Sequence, residues 1–148
     1  MTRVSHGCAP HCYALLRLVA GVMFAMHGSL KLFGLPGDGN ALSPWSLPGV
    51  GGAIELVTGT LIAPGFFVRG AAFVASGEMA IAYFLAHFPD SVFPIVNGGE
   101  LAALYSFLFL FIAARGAGRW SVDALLETQR RVPTSSFLLP AAPDPAAP

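Results

Sequence analysis

The chain predicts an all-α fold, a bundle of four transmembrane helices in an integral membrane protein, and three observations carry that expectation. Hydrophobic residues make up 55% of the 148 positions and charged residues only 11%, whereas an ordinary soluble domain is about a quarter charged. Four apolar stretches each approach the ~20 residues needed to cross a ~30 Å hydrocarbon core. Those stretches are continuous, without the short alternating segments of a membrane β-barrel, so helices are the form that satisfies the backbone in lipid.

The first stretch, Tyr13 to Phe33, follows a short segment containing Arg3. It is long for the apolar part of a secretory signal and ends in Lys31-Leu32-Phe33 instead of a small-residue cleavage site, so it reads as a retained span. A glycine- and proline-rich connection, Gly34 to Pro48, leads to the second stretch, Gly49 to Phe67, which Pro64-Gly65 breaks near its end. The third runs from Gly70 to Phe88 and is closed by Pro89-Asp90-Ser91. The fourth runs from Gly98 to Ala114. Residues 1–12 then form a tail, 13–114 the membrane domain, and 115–148 a second tail. Its end, Val132 to Pro148, is rich in alanine and proline and is expected to be disordered.

Eight basic and eight acidic side chains leave a formal net charge of zero, so no positive excess points to nucleic acid. Threading four helices alternately gathers Arg3, Arg69, Arg115, Arg119, Arg130 and Arg131 on one side and leaves Lys31 on the other. The positive-inside rule makes the first side cytoplasmic, with both termini there. Tyr13 and Trp45 suit interfacial positions, and Arg17, about one turn from the cytoplasmic end, is expected to snorkel to the headgroups.

The residues that bear chemistry are His27, Lys31, Glu55, Glu78, His87 and Glu100, ionisable groups in or at the ends of the apolar segments. A charged side chain at a helix centre costs roughly 2.5 to 3.5 kcal/mol on insertion scales. Such groups must meet each other, protonate or line a polar cavity. His27 and Lys31 share a face at i, i+4. Glu55 enters from the outer side by roughly 9 Å, close to the depth of His27, given the helical rise per residue. Glu100 and His87 sit at outer helix ends and Glu78 lies deepest, so five groups are expected to converge above Glu78. Glu78, Glu55 and Glu100 are the candidate catalytic acids or bases. His27, Lys31, His87 and Asn97 are the candidate ligand-binding residues. The competing reading is a buried ionic lock that organises the helices without chemistry.

Glycines along all four stretches suit close helix packing, with Gly98-Gly99 singled out as able to leave N–H groups free beside Glu100. His6-Gly7-Cys8-Ala9-Pro10-His11-Cys12 holds two thiols and two imidazoles, but the C-x-x-x-C spacing lacks a second ligand pair, so no metal site is assigned.

Five segments together resemble the DoxX family of small bacterial inner-membrane proteins. They are His27-Gly28-Ser29-Leu30-Lys31-Leu32, Gly52-Ala53-Ile54-Glu55-Leu56 with Gly59, Glu78-Met79-Ala80-Ile81-Ala82-Tyr83-Phe84 with His87, Asn97-Gly98-Gly99-Glu100, and Gly116-Ala117-Gly118-Arg119-Trp120-Ser121-Val122-Asp123. The resemblance spans roughly Leu15 to Asp123. It implies a four-helix protein of the bacterial inner membrane with ties to quinone-linked oxidation of sulfur compounds and to partners in oxidative-stress defence. The leading expectation is a subunit of a quinone-linked membrane redox complex, with quinone as the carrier and electrons from an oxidoreductase partner. The other is a non-catalytic scaffold that docks a soluble oxidoreductase through Arg115, Arg119, Arg130 and Arg131 around Trp120. The bilayer is a partner in both, and assembly of several copies is compatible with either.

Overall fold

A computed structural model describes residues 5–131. Arg3 and the tail from Val132 to Pro148 lie outside the described residues, as do the side chains of His6, Arg130 and Arg131. Among the described residues every regular element is helical: α1 (Ser5–Phe33), α2 (Leu47–Ile62), α3 (Val68–Ala82) with a π-helical turn at Tyr83–His87, α4 (Pro94–Asn97), α5 (Glu100–Arg115) and α6 (Val122–Arg131).

The four apolar stretches appear as α1, α2, α3 with its π turn, and α5, with shifted ends. Helix α1 begins at Ser5, eight residues before Tyr13, so residues 5–12 are continuous with the first stretch. Two helices among the described residues are long and apolar enough to cross a membrane, Gly7–Phe33 and Val68–His87. Helices α2 and α5 are shorter than expected, 16 residues each, or about 24 Å at 1.5 Å per residue. Pro64-Gly65 ends α2 early, Gly65 taking φ +85°, and the turn through Gly98 delays α5. Helix α3 closes in a π turn, where the Phe88 amide donates to the Tyr83 carbonyl at 2.9 Å. The connection after it contains the single turn α4, where a loop was expected.

Helix α1 packs on α2, α2 on α3, and α3 on α5. Small residues bring α1 and α2 together. A Cβ built on Gly21 would lie 2.6 Å from the Ala63 nitrogen, and one on Gly59 would lie 2.5 Å from the Ala25 nitrogen. One on Gly28 would run into the backbone of Gly52 and Leu56. Backbone contact of this kind is what glycine permits at helix crossings. An aromatic seam joins α1 to α5, with Phe24 against Phe109 at 4.6 Å and against Tyr105 at 5.5 Å between ring centroids. Ser76 of α3 donates to the Ser106 carbonyl of α5 at 2.8 Å.

The end of the bundle that carries Arg69 and Arg115 is tied by long-range polar contacts. Arg17 is buried at 2% exposure and does not reach outward. It donates to the carbonyl of Ile62, which also accepts from Gly65 N at 3.1 Å, to that of Ala63 at 2.7 Å and to that of Trp120 at 2.5 Å, placing a cation at the carbonyl end of α2. The Tyr13 hydroxyl donates to the Gly116 carbonyl, and Arg115 lies over the Tyr13 ring, 4.5 Å from its centroid. Asp123 sits in the first turn of α6 but caps α3, accepting from Phe67 N at 2.9 Å and Val68 N at 3.2 Å. Ser121 caps α6 instead, accepting from Ala124 N at 3.2 Å. Large apolar side chains remain exposed along the outside of the helices, among them Leu15, Val57, Phe73, Leu104 and Phe107.

Candidate functional site

Between α2, α3 and the start of α5, with the last turns of α1 behind them, lies a cavity of about 880 Å³. Its wall is mostly apolar, the expected character of a small-molecule site with a few placed polar groups. His27 and Lys31 of α1, Glu55 of α2, Glu78 of α3, His87 of the π turn and Tyr105 of α5 supply those groups.

Lys31 donates to Glu55 Oε1 at 2.7 Å, a salt bridge between α1 and α2. The glutamate is 2% exposed, while the lysine side chain is 31% exposed, so the pair sits at the boundary of the buried interior. Gly52 makes room for it, since a Cβ there would lie 2.8 Å from Lys31 Cβ. Glu55 Oε2 is buried and has no hydrogen-bond partner. Glu78 Oε2 is likewise buried and unpartnered. Glu78 reaches toward α2 because Gly51 faces it, a Cβ on Gly51 lying 3.1 Å from Glu78 Oε1. Gly51 and Glu55 are one turn apart on α2, so the two carboxyl groups address the cavity from facing helices. His27 is half-buried and meets the Tyr105 ring edge-on, 6.3 Å between centroids.

The remaining candidates divide. His87 lines the cavity, and its Nδ1 lies 3.1 Å from the Asn97 carbonyl. A carbonyl can only accept, so this nitrogen carries the proton and, in the neutral ring, Nε2 is an acceptor. Asn97 serves the local chain. Its amide nitrogen donates to the Ser91 carbonyl at 2.7 Å and its Oδ1 accepts from Gly99 N at 2.8 Å. The Gly99 N–H is therefore engaged and is not free beside Glu100. It also reaches the Pro94 carbonyl at 3.1 Å. Glu100 itself is exposed and is not among the lining residues. The structure thus brings together His27, Lys31, Glu55, Glu78 and His87, and sets Asn97 and Glu100 apart from them.

Sequence reasoning missed Tyr105, and it read Gly51 as a packing glycine without its place opposite Glu78. Tyr105 could have been found as the polar-tipped aromatic inside the fourth apolar stretch, on the face of Ala102, Phe109 and Ile112. Gly51 carries no such signal, because its role depends on the partner helix opposite. At the other end of the bundle His11 packs edge-on against Trp120, 4.7 Å between centroids, and Cys8 and Cys12 are exposed free thiols.

Two helices of membrane-crossing length, large apolar side chains exposed along the outside and polar groups on the wall of a mostly apolar cavity are features that fit an all-helical membrane protein. The chain belongs to the DoxX family, whose model matches residues 12–88, the stretch that carries His27, Lys31, Glu55, Glu78 and His87. A relative from Haemophilus influenzae, described as an uncharacterized protein, is 44% identical over 122 residues, which is 77% of this chain and 90% of that protein. No solved structure matches the chain.

Proposed function

We propose that this protein is a four-span subunit of a quinone-linked redox complex in the bacterial inner membrane, with both termini cytoplasmic, and that its cavity binds the quinone-type carrier. The observation that carries this reading is the cavity of about 880 Å³ with the Lys31–Glu55 pair and Glu78 on its wall. Quinone chemistry moves protons together with electrons. Glu78 and Glu55 are the groups positioned to give or take those protons, while His27, Lys31 and His87 orient the ring. Glu100, exposed at the start of α5 and outside the cavity wall, takes no part in this reading, and Asn97 holds His87 in place through its carbonyl. Electrons come from an oxidoreductase partner. The 16-residue helices α2 and α5 fit this topology with modest local thinning of the bilayer.

The test is extraction and difference spectroscopy of the detergent-solubilised protein from quinone-replete membranes. A stoichiometric quinone, lost in Glu78→Gln and His27→Ala variants that still fold, is the expected result. A carrier-free preparation favours the scaffold reading, for which the supporting observation is Trp120, 60% exposed directly after Arg119 at the basic end.

A further inference from the structure

We propose that the basic end of the bundle holds a lipid headgroup site, in which the pocket between the start of α3, the end of α5 and α6 takes the phosphate of an anionic phospholipid on Arg69 and Arg115. The site lies at the opposite end from the carrier cavity and stands without that reading.

The pocket has a volume of about 450 Å³, and Arg69, Arg115, Gly116, Asp123 and Glu127 are among its lining residues. Gly116 brings the two arginines to one place. It follows Arg115 in the chain, and a Cβ built on it would lie 3.0 Å from Arg69 Nε and 3.2 Å from Arg69 Nη2. The guanidinium of the α3 residue therefore rests against the end of α5. Arg17, at the same end, is used internally on three carbonyls. Arg69 and Arg115 are both exposed, and among the described residues neither is in a salt bridge. Arg115 is held over the Tyr13 ring instead. Asp123 spends its two oxygens on the Phe67 and Val68 amides. Two guanidinium forks match phosphate oxygens in geometry as well as charge. With two carboxylates on the same wall, a phosphodiester carrying one negative charge suits the pocket, and a polyphosphate does not.

Position favours a lipid over a soluble phosphate. Val68 opens a helix long and apolar enough to cross a membrane, which puts Arg69 at the height of the headgroups. Basic pockets between helices at that height are where anionic lipid heads bind. Helix α6 is fixed as the third wall, since Val122 N and Asp123 N donate to the Pro64 and Gly65 carbonyls at 3.3 and 3.0 Å. Phe111 and Phe107, one and two turns before Arg115 on the same face of α5, are 50% and 73% exposed. They offer an acyl chain a path toward the bilayer middle beneath a phosphate held at Arg115. Phe67 in the pocket wall and Leu125 of α6 are exposed as well, as suits side chains at the boundary of headgroup and acyl chain.

The experiment is native mass spectrometry of the full chain in detergent, titrated with dioleoyl phosphatidylglycerol, phosphatidylethanolamine and phosphatidylcholine. One phosphatidylglycerol should be retained per chain, with at least ten-fold preference over the other two lipids. Arg69→Gln should reduce that retention at least five-fold, whereas Arg119→Gln, an exposed arginine outside the pocket wall, should leave it unchanged. Glycerol 1-phosphate, a phosphate without acyl chains, should not displace the lipid at equal concentration. Equal retention of the three lipids, or tighter retention of phosphatidylethanolamine, overturns the proposal. Displacement by glycerol 1-phosphate overturns it in favour of a soluble phosphate ligand. Equal loss in Arg119→Gln overturns it in favour of diffuse surface charge. Should Arg69→Gln fail to fold, the lipid series and the glycerol 1-phosphate competition on the unmodified protein decide the question.

Discussion

Lys31 Nζ sits 2.7 Å from Glu55 Oε1, joining the last turn of α1 to the middle of α2 over a carboxylate that is 2% exposed. The bond is a hinge pin as well as part of the cavity wall. Removing the lysine leaves an uncompensated buried charge, which typically costs about 3 to 5 kcal/mol. Lys31→Met should therefore lower stability strongly in a detergent unfolding titration, and Lys31→Met with Glu55→Gln should recover much of the loss. Full additivity of the two substitutions would mean that the pair is not coupled.

The α1–α2 crossing depends on Gly28. Its missing Cβ is the space occupied by the Gly52 and Leu56 backbone, and backbone cannot move aside as a side chain can. Gly28→Ala should cost about 1 to 3 kcal/mol, the usual range for overpacking, and Gly28→Leu should abolish the fold. Gly77, whose Cβ would meet nothing within 4 Å, is the control. Gly77→Ala should be neutral or slightly stabilising in the same unfolding assay.

Arg17 holds three carbonyls on two separate segments. Arg17→Met removes these charged hydrogen bonds and should destabilise by roughly 1.5 to 3 kcal/mol, as expected for a charged hydrogen-bonding group at a buried site. The 116–121 segment should also become sensitive to limited proteolysis. Arg17→Lys should restore only part of the effect, because a compact ammonium cannot reach both segments in a fixed fork.

Asp123 spans 56 residues of sequence to cap α3 at Phe67 N. Asp123→Ala should cost about 1 kcal/mol and increase hydrogen exchange at Phe67 and Val68 without altering ligand binding at the opposite end. An unchanged exchange rate at both amides would show that α3 is capped by other means.

Much of the site was legible because ionisable residues stand out in apolar segments. His27, Lys31, Glu55, Glu78 and His87 are such residues, and one cavity wall gathers them, with Glu78 opposite Gly51 of α2. Rotation about a helix axis was harder to read. Glu100 is the first residue of α5, and the direction it faces is fixed by the α4 turn and Gly98 at φ +70°, neither of which shows in the spacing. Helix ends were obscured by partners far along the chain. Arg17 looked free to snorkel because nothing nearby in sequence covers it, whereas the 116–121 segment folds over it. Asp123 lies in the first turn of its own helix, and nothing near it in sequence shows that its partner, the start of α3, lies 56 residues away.

The most direct measurement is photo-crosslinking with an azido-substituted decyl-quinone in native membranes, followed by peptide mapping. The account predicts label on α2 between Leu47 and Glu55 and on α3 and its π turn between Phe73 and His87, competed by unlabelled decyl-hydroquinone and lost in Glu78→Gln. Label confined to exposed outer positions such as Leu104 and Phe107 of α5, insensitive to competition, would contradict the claim that the cavity is a carrier site.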